Sequence, residues 1–562
     1  MFLESTISDI ENYPFLNPFR FENDPSKKYW HISTLESLLE ENWNSIEEGV
    51  TENREYLAAR EKIFSSAVFQ YFTDQKNRII QESLETDNSF QILGAYTCLL
   101  DSIVQTAFDY SFIDIPLIKE RLVEELNHEL NYKQKNLPEK KEKLKLLKEQ
   151  ILEMEKNLES GSSSSREYRY FQEVESQHES ETRVLEERIE ELQQLIPQIQ
   201  EFTNDKNFVL NHLVIFARGG YGRAELGLSS DRDLGYCLDT NRLNNGEAEM
   251  LRQLIVHIEN LLRNSGVETA HQYFEIDEDL SRFDEVNTLH TIPSILESRV
   301  LLGSESLATN LKNRFFQVIT FEPYVLNLVR SFSESKEPEL NRMDLKMDYG
   351  GLRSLQIPLW ITAATFGIFP SQTADLLAFL IQKHLLSHRQ ALKLCQALEF
   401  LHDLRNFSAV AKEHYFDDEA RDIGCVQENL LQDQLNDSLE RLYLLKKNRF
   451  KNVDEFDRFR LQMMEQIGEL SKVILDRLLD RTIVRTFSKF QVVVHLGNRR
   501  VVEIHALEGL PQVPLTLIFD EPQTLLELFV YLGHSDYDLT YDLKDEMASL
   551  IAHFTPELMK VN

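Results

Sequence analysis

The amino-acid sequence predicts a mostly helical α+β protein, in which a small mixed-sheet α/β domain lies between helical regions and a coiled-coil hairpin forms an arm. Three observations support this prediction. Apolar residues recur at helical spacing, with few helix breakers, over 33–125 and again over 290–485. A heptad pattern occupies 139–199. Residues 206–277 combine β-compatible runs with a glycine-rich loop and an amphipathic helix.

The length of the chain sets its domain organisation. At 562 residues it exceeds what one hydrophobic core normally covers, so three or four domains are expected. The pattern divides into five consecutive regions: an N-terminal helical region (1–125), the antiparallel coiled-coil hairpin (126–204), the α/β domain (205–325), a second helical domain (326–488) and a small C-terminal α/β segment (489–562).

Composition excludes several classes of protein. The chain carries 93 acidic and 60 basic residues, a net charge of −33, which repels nucleic-acid backbones and argues against general nucleic-acid binding. It has neither an apolar run near the ~20 residues of a membrane helix nor an export signal at its start. The four cysteines form no CxxC pair, which argues against a disulfide framework. We therefore expect a cytoplasmic protein that does not bind membranes.

The hairpin is predicted by two apolar seams whose steps average 3.5 residues, as in a coiled coil. The serine-rich segment 160–165 separates the seams and places the tip at Gly161–Ser165. Pro197 is predicted to kink or end the second helix. The hairpin is either a spacer or a docking arm for a partner. The seam positions are Leu144, Leu147, Ile151, Met154 and Leu158 in the first helix and Leu185, Ile189, Leu192, Ile196 and Ile199 in the second.

The α/β domain is predicted from the order of its segments. Residues 208–217 and 234–238 are β-compatible apolar runs, 247–264 is an amphipathic helix, and 269–277 alternates as a strand does. Strand, glycine loop, strand, helix and strand together indicate a small sheet domain.

The remaining segments are predicted with less detail. Gly350–Gly351 interrupts the second helical domain, and Pro358 and Pro370 mark helix boundaries. Near the end, residues 490–506 indicate a β-hairpin that turns at Gly497–Asn498, and 522–532 a helix that packs on it.

Two acidic residues, Asp231 and Asp233, stand at the start of the predicted strand 234–238. Residues i and i+2 of a strand face the same side, ~6.6 Å apart. Two carboxylates so placed repel each other strongly unless a cation lies between them. A solvated loop is the ordinary explanation of an isolated DxD pair, but here a glycine pair precedes it. Hard divalent ions with oxygen ligands, Mg²⁺ in particular, suit such a pair.

The glycine pair Gly219–Gly220 ends the preceding apolar run. Glycine allows backbone N–H groups to approach a phosphate without a Cβ in the way. Ser229 and Ser230 add hydroxyl donors beside the acids. Because the chain has no GxxxxGK[ST] segment, these residues predict a nucleoside-triphosphate site that is not a P-loop.

The segment GGYGRAELGLSSDRDLGYCL (219–238) resembles the nucleotidyltransferase motif, in the longer form of bacterial PII-protein uridylyltransferases and their glutamine-synthetase adenylyltransferase cousins. Three further segments are similar to that family: DLKMDYGGLRSLQIPLWI (344–361), LCQALEFLHDLRNFSAVA (394–411) and DEPQTLLELF (520–529). The resemblance covers about 205–550 in the right order and implies that the α/β domain is a nucleotidyltransferase domain.

The resemblance assigns nucleotide-binding residues. Gly219 and Gly220 would hold the triphosphate, and Ser230 would contribute its hydroxyl. Arg223 and Glu225 match the GRxE part, which implies that they brace the loop and that Arg223 lies near phosphate.

It also assigns the metal-binding and catalytic residues. Asp231 and Asp233 would bind Mg²⁺. The family uses a third carboxylate on a later strand, often as the general base, and the strand YFEID puts Asp277 there, with Glu275 on the same face. The implied catalytic and metal set is therefore Asp231, Asp233 and Asp277.

Several features depart from the family. Ser354 replaces the aspartate of its GGLRD segment. His402–Asp403 lacks the other ligands of an HD phosphohydrolase site, and His384 and His388 lack the glutamate of a HExxH motif, so all four are predicted to be structural. We therefore expect the deuridylylating and glutamine-sensing functions of the family to be absent from this chain.

The sequence predicts a Mg²⁺-dependent nucleotidyltransferase that moves UMP or AMP from UTP or ATP to an acceptor hydroxyl. By resemblance the acceptor is a protein such as a PII-like protein, modified on a tyrosine. The alternative is a non-catalytic nucleotide-binding scaffold that acts through its helical arm. A small-molecule nucleotidyltransferase is a third possibility.

Overall fold

The structure of the protein is a computed structural model. The structure describes residues 53–85, 89–159, 165–228, 230–276, 285–318, 321–338, 344–370, 372–415, 452–479, 482–486, 490–496 and 500–506, with residues 39 and 450. None of the helices in these ranges is both long and apolar enough to cross a membrane.

The described N-terminal part is helical, as predicted. It contains α1 (Asn53–Glu85), α2 (Ser89–Ile113), α3 (Ile115–Glu159) and α4 (Ser165–Glu201). Asp114 forms the turn between α2 and α3 and is buried against Arg60 of α1, with 2.5 Å between carboxylate and guanidinium. These helices share one apolar core with the α/β domain, so the N-terminal region is part of the scaffold of that domain.

Helices α3 and α4 lie antiparallel. Ion pairs join Lys140 to Glu181 at 2.6 Å and Lys148 to Glu179 at 3.0 Å. The later residue of α3 pairs with the earlier residue of α4, as expected when two helices run in opposite directions. The described seam residues are buried or half-buried. A helical hairpin therefore forms where the heptads predict it; its supercoiling stays a prediction, and residues 160–164 of the tip lie outside the described residues.

The base of the hairpin is core structure. Ile196, Ile199 and Phe202 are each 6% exposed or less and pack in the core shared with the α/β domain. Pro197 does not end the second helix, because α4 continues through it to Glu201, and a kink at this proline stays a prediction. Burial of the apolar neighbours offsets the hydrogen bond that proline cannot make.

Removing residues 133–188 and joining the ends with a short Gly/Ser linker should leave the thermal unfolding temperature of the remaining protein nearly unchanged. The removed residues lie outside both apolar cores. The matched control is removal of 139–199, which also deletes core residues and should unfold the N-terminal part. Equal destabilisation by both deletions, measured by calorimetry, would show that the whole hairpin is core.

The α/β domain begins with a correction. The apolar run 208–217 is helical in its first half, α5 (Lys206–His212), and extended only in β1 (Leu213–Ala217). Asp205 caps α5 by accepting a hydrogen bond from the Asn207 N–H at 2.9 Å, a local signal that the apolar pattern concealed.

The next elements follow the prediction closely. They are β2 (Asp233–Leu238), α6 (Asn245–Asn264) and β3 (Ala270–Glu275). A capping box starts α6, in which Asn244 and Glu247 each accept a hydrogen bond from the backbone N–H of the other.

A four-stranded mixed sheet forms in the order β3-β2-β1-β4. The fourth strand, β4 (Arg299–Gly303), is antiparallel to β1 and lies in a stretch predicted to be helical. β2 is antiparallel to β1 and parallel to β3. Alternate strand residues face two different cores: Phe216, Cys237 and Phe274 face the second helical domain, and their neighbours face the N-terminal helices.

The second helical domain packs against the face of the sheet that carries Phe216, Cys237 and Phe274. It follows α7 (Glu285–Leu296) and α8 (Glu305–Val318) and contains α9 (Phe321–Ser333), α10 (Leu352–Phe366), α11 (Thr373–Gln382), α12 (His388–Tyr415) and α13 (Val453–Leu479). The predicted domain boundary at 325 falls inside α9.

The prediction of a helix boundary at Pro358 is wrong, since this buried proline lies inside α10. Helix α10 ends instead at Gly367, whose positive φ of 62° is the left-handed conformation that glycine adopts readily. The predicted boundary at Pro370 lies between α10 and α11.

The C-terminal strands are β5 (Thr482–Thr486), β6 (Phe490–Leu496) and β7 (Arg500–Ala506), which form an antiparallel sheet in that order. The predicted pair of hairpin strands is confirmed. Its turn at Gly497–Asn498 and the predicted helix 522–532 lie outside the described residues. Because β5 pairs with β6, the C-terminal unit includes residues that the prediction gave to the helical domain.

Candidate active site

In the turn after β1, the backbone of Gly219 lies close to the carboxylate of Asp233. One turn of helix, Gly219–Gly222, follows β1 directly. Gly219 has φ +54°, and a Cβ there would lie 3.3 Å from Oδ2 of Asp233. Glycine at this position therefore permits both the left-handed backbone and its close approach to the start of β2.

Asp233 begins β2 and is half-buried, while Asp231 is exposed. Burial raises the pKa of Asp233; the nearby guanidinium of Arg218 opposes this and the charge of Asp231 adds to it. A divalent cation would relieve the repulsion of this pair. Carboxylate oxygens completed by substrate phosphates are the ordinary ligands of Mg²⁺, so Asp231 and Asp233 fit that ion.

Arg218 lies beside Asp233 and was not identified from the sequence. Its guanidinium is 4.0 Å from Oδ1 of Asp233, and its Nη1 donates to Oε1 of Gln272 at 2.6 Å. Its Nε donates to the carbonyl of Leu234 at 3.1 Å. Arg218 thus ties β1 to both β2 and β3 at the end of the sheet that carries the aspartates.

Arg223 is buried and stabilises the glycine turn through ion pairs with Glu225 and Glu297. It is 7% exposed, and it donates from Nε to Glu225 at 2.8 Å and from Nη1 to Glu297 at 2.6 Å. The other oxygen of Glu297 accepts from the indole N–H of Trp360 at 2.6 Å. Through Glu297, these hydrogen bonds connect the turn to the start of β4 and to α10. The Nε and Nη1 donors of Arg223 both bind protein carboxylates.

The N-terminal helices hold the other side of the site. Arg232, between the two aspartates in sequence, donates from Nη2 to the hydroxyl of Tyr96 on α2 at 3.0 Å. Arg299 of β4 forms two hydrogen bonds, at 2.9 and 3.0 Å, with Asp101 of α2. Tertiary contacts of this kind leave no local signal in the sequence.

The second and third family-like segments converge on the same place. Arg405 of α12 donates to Oγ of Ser230 at 3.5 Å. Its neighbour Asn406 accepts from the Leu228 N–H at 3.4 Å. The charge of Lys346 acts on Asp233, so the segment before α10 also lies near the acids. The structure thus brings Ser230 together with Asp231 and Asp233; the predicted donor Ser229 lies outside the described residues.

Ser354 has a structural contact. Its buried hydroxyl accepts a hydrogen bond from the Gly350 N–H at 2.9 Å. Gly350 has φ +79°, and a Cβ there would lie 1.9 Å from the carbonyl oxygen of Met464. The serine therefore fixes a tight turn, and an aspartate could accept the same hydrogen bond.

Among the described residues, no three His, Cys, Asp or Glu side chains converge on a metal position. His402 is 4% exposed, and burial lowers its pKa to about 4, with the charge of Glu225 acting in the opposite direction. It is therefore neutral at pH 7.

The pKa of His402 predicts a loss of stability in acid. The unfolded side chain binds a proton near pH 6.5 and the folded one only near pH 4. Stability is therefore lost as the pH falls from 6.5 to 4, by up to about 3 kcal/mol from this group. A His402→Gln variant should lose less free energy of unfolding across that window in urea titrations, whereas the exposed-histidine control His384→Gln should follow the wild type.

The third predicted carboxylate, Asp277, lies outside the described residues, and its role stays a prediction. The register of β3 shows which of its described residues lie beside the aspartates. Asp233 is opposite Ala270, whereas Glu275 is opposite Leu238 at the other end of the parallel pair. Glu275 is also engaged, since it accepts hydrogen bonds from Arg252 at 2.7 Å and from Tyr273 at 2.6 Å.

A different carboxylate precedes β3. Continuing the register back by two residues from Asp233 and Ala270 sets Glu268 beside Asp231. Glu268 is exposed, and its carbonyl accepts from Nη1 of Arg232 at 3.2 Å. Sequence reasoning missed Glu268, because only the strand register shows which end of β3 meets the aspartates.

Comparison with known proteins supports the family resemblance. The model of the GlnD PII-uridylyltransferase family matches residues 330–474. The bifunctional uridylyltransferase/uridylyl-removing enzyme of Azospirillum brasilense is 24% identical over 342 residues, which are 58% of this chain and 33% of that protein. The enzyme of the same name from Ectopseudomonas mendocina is 30% identical over 206 residues, 34% of this chain and 21% of that protein.

A third relative of that name, from Zymomonas mobilis, is 29% identical over 165 residues, 28% of this chain and 17% of that protein. The matched segments thus span about a sixth to a third of these relatives. The predicted resemblance to PII-protein uridylyltransferases is confirmed.

Proposed function

We propose that this chain, a relative of PII-protein uridylyltransferases, is a Mg²⁺-dependent nucleotidyltransferase that moves UMP or AMP from UTP or ATP to a protein hydroxyl. The observation that carries the proposal is the approach of the Gly219 backbone to Asp233, which puts a potential phosphate turn beside a potential metal ligand.

In this reaction the acceptor oxygen attacks the α-phosphorus in line, and the bond from that phosphorus to the pyrophosphate oxygen breaks. The acceptor proton passes to a carboxylate base, and pyrophosphate leaves. Asp231 and Asp233 would hold Mg²⁺, which supplies charge neutralisation of the triphosphate. The glycine turn would position the nucleotide, and Arg218 would keep the carboxylate of Asp233 in place.

The base is either Glu268 or Asp277, and a paired substitution separates them. If the register of β3 locates the base, Glu268→Gln should lower kcat by ~10²-fold or more, whereas Asp277→Asn should leave it nearly unchanged. The pH–rate profile of the impaired variant should lose its acidic limb. The opposite pattern would restore the assignment of Asp277.

The acceptor is proposed from the relatives. Their name describes uridylylation and uridylyl removal, and the family model names PII as the target. A PII-like protein is therefore the first acceptor to test. The shortened variant without residues 133–188 also decides the role of the hairpin: a raised KM for the acceptor indicates docking, and unchanged kinetics indicate a spacer.

The alternative is a non-catalytic nucleotide-binding protein. One observation favours it: among the described residues, no three His, Cys, Asp or Glu side chains converge on a metal position. Metal-dependent transfer could then lack its third acidic group.

The test of the proposal is transfer of label. Purified protein and a cell lysate would be incubated with Mg²⁺ and each of the four α-labelled ribonucleoside triphosphates. Label on a protein band that requires the purified chain supports the enzyme and identifies both nucleotide and acceptor. Binding of a nucleotide without any labelled product supports the alternative.

A further inference from the structure

Three basic side chains of the second helical domain, Lys346, Arg353 and Arg405, form a cluster at the candidate site. Arg405 lies 3.5 Å from Oγ of Ser230. The charges of Lys346 and Arg405 act on Asp231, and the charge of Arg353 acts on Lys346. The three side chains come from two separate segments, the turn before α10 and the helix α12. In a chain with a net charge of −33, a local cluster of cations needs a reason.

The segment that carries Lys346 and Arg353 is rigidly built. The carboxylate of Asp344 accepts hydrogen bonds from the backbone N–H groups of Lys346 at 2.8 Å and of Met347 at 3.0 Å. The Arg353 N–H donates to the carbonyl of Lys346 at 2.9 Å, which closes the turn. The backbone therefore fixes where both side chains start.

The guanidinium of Arg353 lies over the ring of Trp360, 4.7 Å from its centroid. Its Nε is buried without a hydrogen-bond partner among the described residues. Trp360 is itself held by a hydrogen bond to Glu297, so the ring that the Arg353 guanidinium contacts is fixed in position. One face of the Arg353 guanidinium thus contacts Trp360, and its Nε–H donor is available. An arginine in this arrangement is positioned to bind an anion.

The nearby protein anions do not match these cations. Glu225 and Glu297 are already engaged by Arg223. Burial, followed by repulsion from Arg353 and Arg405, lowers the pKa of Lys346. Burial and the charge of Arg223 lower the pKa of Arg353 to about 10. Burial also lowers the pKa of Arg405, although the charges of Asp344 and Asp231 oppose this. Burial thus outweighs the nearby carboxylates at all three cations.

We propose that Lys346, Arg353 and Arg405 bind the β- and γ-phosphates of the nucleoside triphosphate, opposite the aspartates and the glycine turn. The proposal deepens the proposed function, because it names the part of the substrate that the helical domain holds. Arg405 lies 3.5 Å from Oγ of Ser230, which places it within reach of the turn that leads to Asp231. A polyanion there would be neutralised from both sides.

The test compares Lys346→Gln, Arg353→Gln and Arg405→Gln with two matched controls, Lys336→Gln before the same turn and Arg389→Gln on α12, both exposed. Affinities for inorganic tripolyphosphate, UTP, ATP and UMP would be measured by calorimetry on the full chain. Each site variant should weaken triphosphate binding by ~10-fold or more, since charge-assisted hydrogen bonds are lost. Affinity for UMP should change little, and the controls should match the wild type.

Stability gives a second, independent readout. Removing one of several mutually repelling cations should leave the unfolding temperature level or raise it. A site variant that unfolds at a lower temperature and binds tripolyphosphate as tightly as the wild type would show a structural role and overturn the proposal.

The outcomes separate this inference from the proposed function. Tight UTP or ATP binding that all three variants retain overturns the phosphate site and leaves the nucleotidyltransferase standing. Tripolyphosphate binding that depends on the three cations, without nucleotidyl transfer, supports the phosphate site and removes the enzyme. Binding of neither ligand by the wild type overturns both.

Discussion

Replacing Asp233 with asparagine is expected to reduce nucleotidyl transfer by about 10³-fold or more, because the proposed reaction loses a metal ligand. Asp233 is the acid that the glycine turn approaches, at 3.3 Å from a Cβ at Gly219. The measurement is kcat/KM for transfer at saturating Mg²⁺.

The same variant should fold as well as the wild type. The pKa of Asp233 is raised, chiefly by burial, so ionising its carboxyl opposes folding as the pH rises through that value. Asparagine does not ionise, and the metal-free stability at pH 7 should stay level or increase. The matched control is Asp239→Asn, one residue beyond the other end of β2, which should keep full activity. A large loss of metal-free stability in Asp233→Asn would show that the carboxylate is structural.

Replacing Arg223 with methionine is expected to destabilise the protein by about 3–5 kcal/mol, because two buried carboxylates lose their common cation. Glu225 and Glu297 both receive hydrogen bonds from Arg223, and Glu297 is 3% exposed. Urea unfolding measures the loss. The control is Arg242→Met, whose exposed ion pair with Asp239 at 3.5 Å should contribute less than about 1 kcal/mol.

This prediction decides between two roles for Arg223. The family resemblance implied both bracing of the loop and contact with the nucleotide, and the buried ion pairs with Glu225 and Glu297 support bracing. If Arg223→Met keeps its stability and loses affinity for triphosphate, Arg223 contacts phosphate directly and the bracing role is wrong.

The sequence reveals the parts of the site that are local. The glycine pair and the aspartates lie within one short segment, and the β2, α6 and β3 patterns are regular enough to predict. The helical hairpin follows from its heptads for the same reason. Each of these features is encoded by residues close together in the chain.

The parts that the sequence concealed depend on distant contacts. The strand β4 forms because β1 offers it an edge, and nothing in the segment RVLLG itself excludes a helix. Pro197 and Pro358 stay inside helices because buried neighbours offset a missing hydrogen bond. Arg218 becomes visible at the site only through its hydrogen bonds to β2 and β3, and Glu268 becomes a candidate only through the register of the strands. Direction along β3, rather than residue type, separates Glu268 from Glu275.

The most direct test of the account is pyrophosphate release by the purified chain with Mg²⁺, the nucleotide and the acceptor that labelling identifies, run beside Asp233→Asn and Asp239→Asn. The account predicts release in equal amount to labelled acceptor, its loss in Asp233→Asn and its retention in Asp239→Asn. Release that persists in Asp233→Asn, or the absence of release from a wild-type chain that binds the nucleotide, would contradict it.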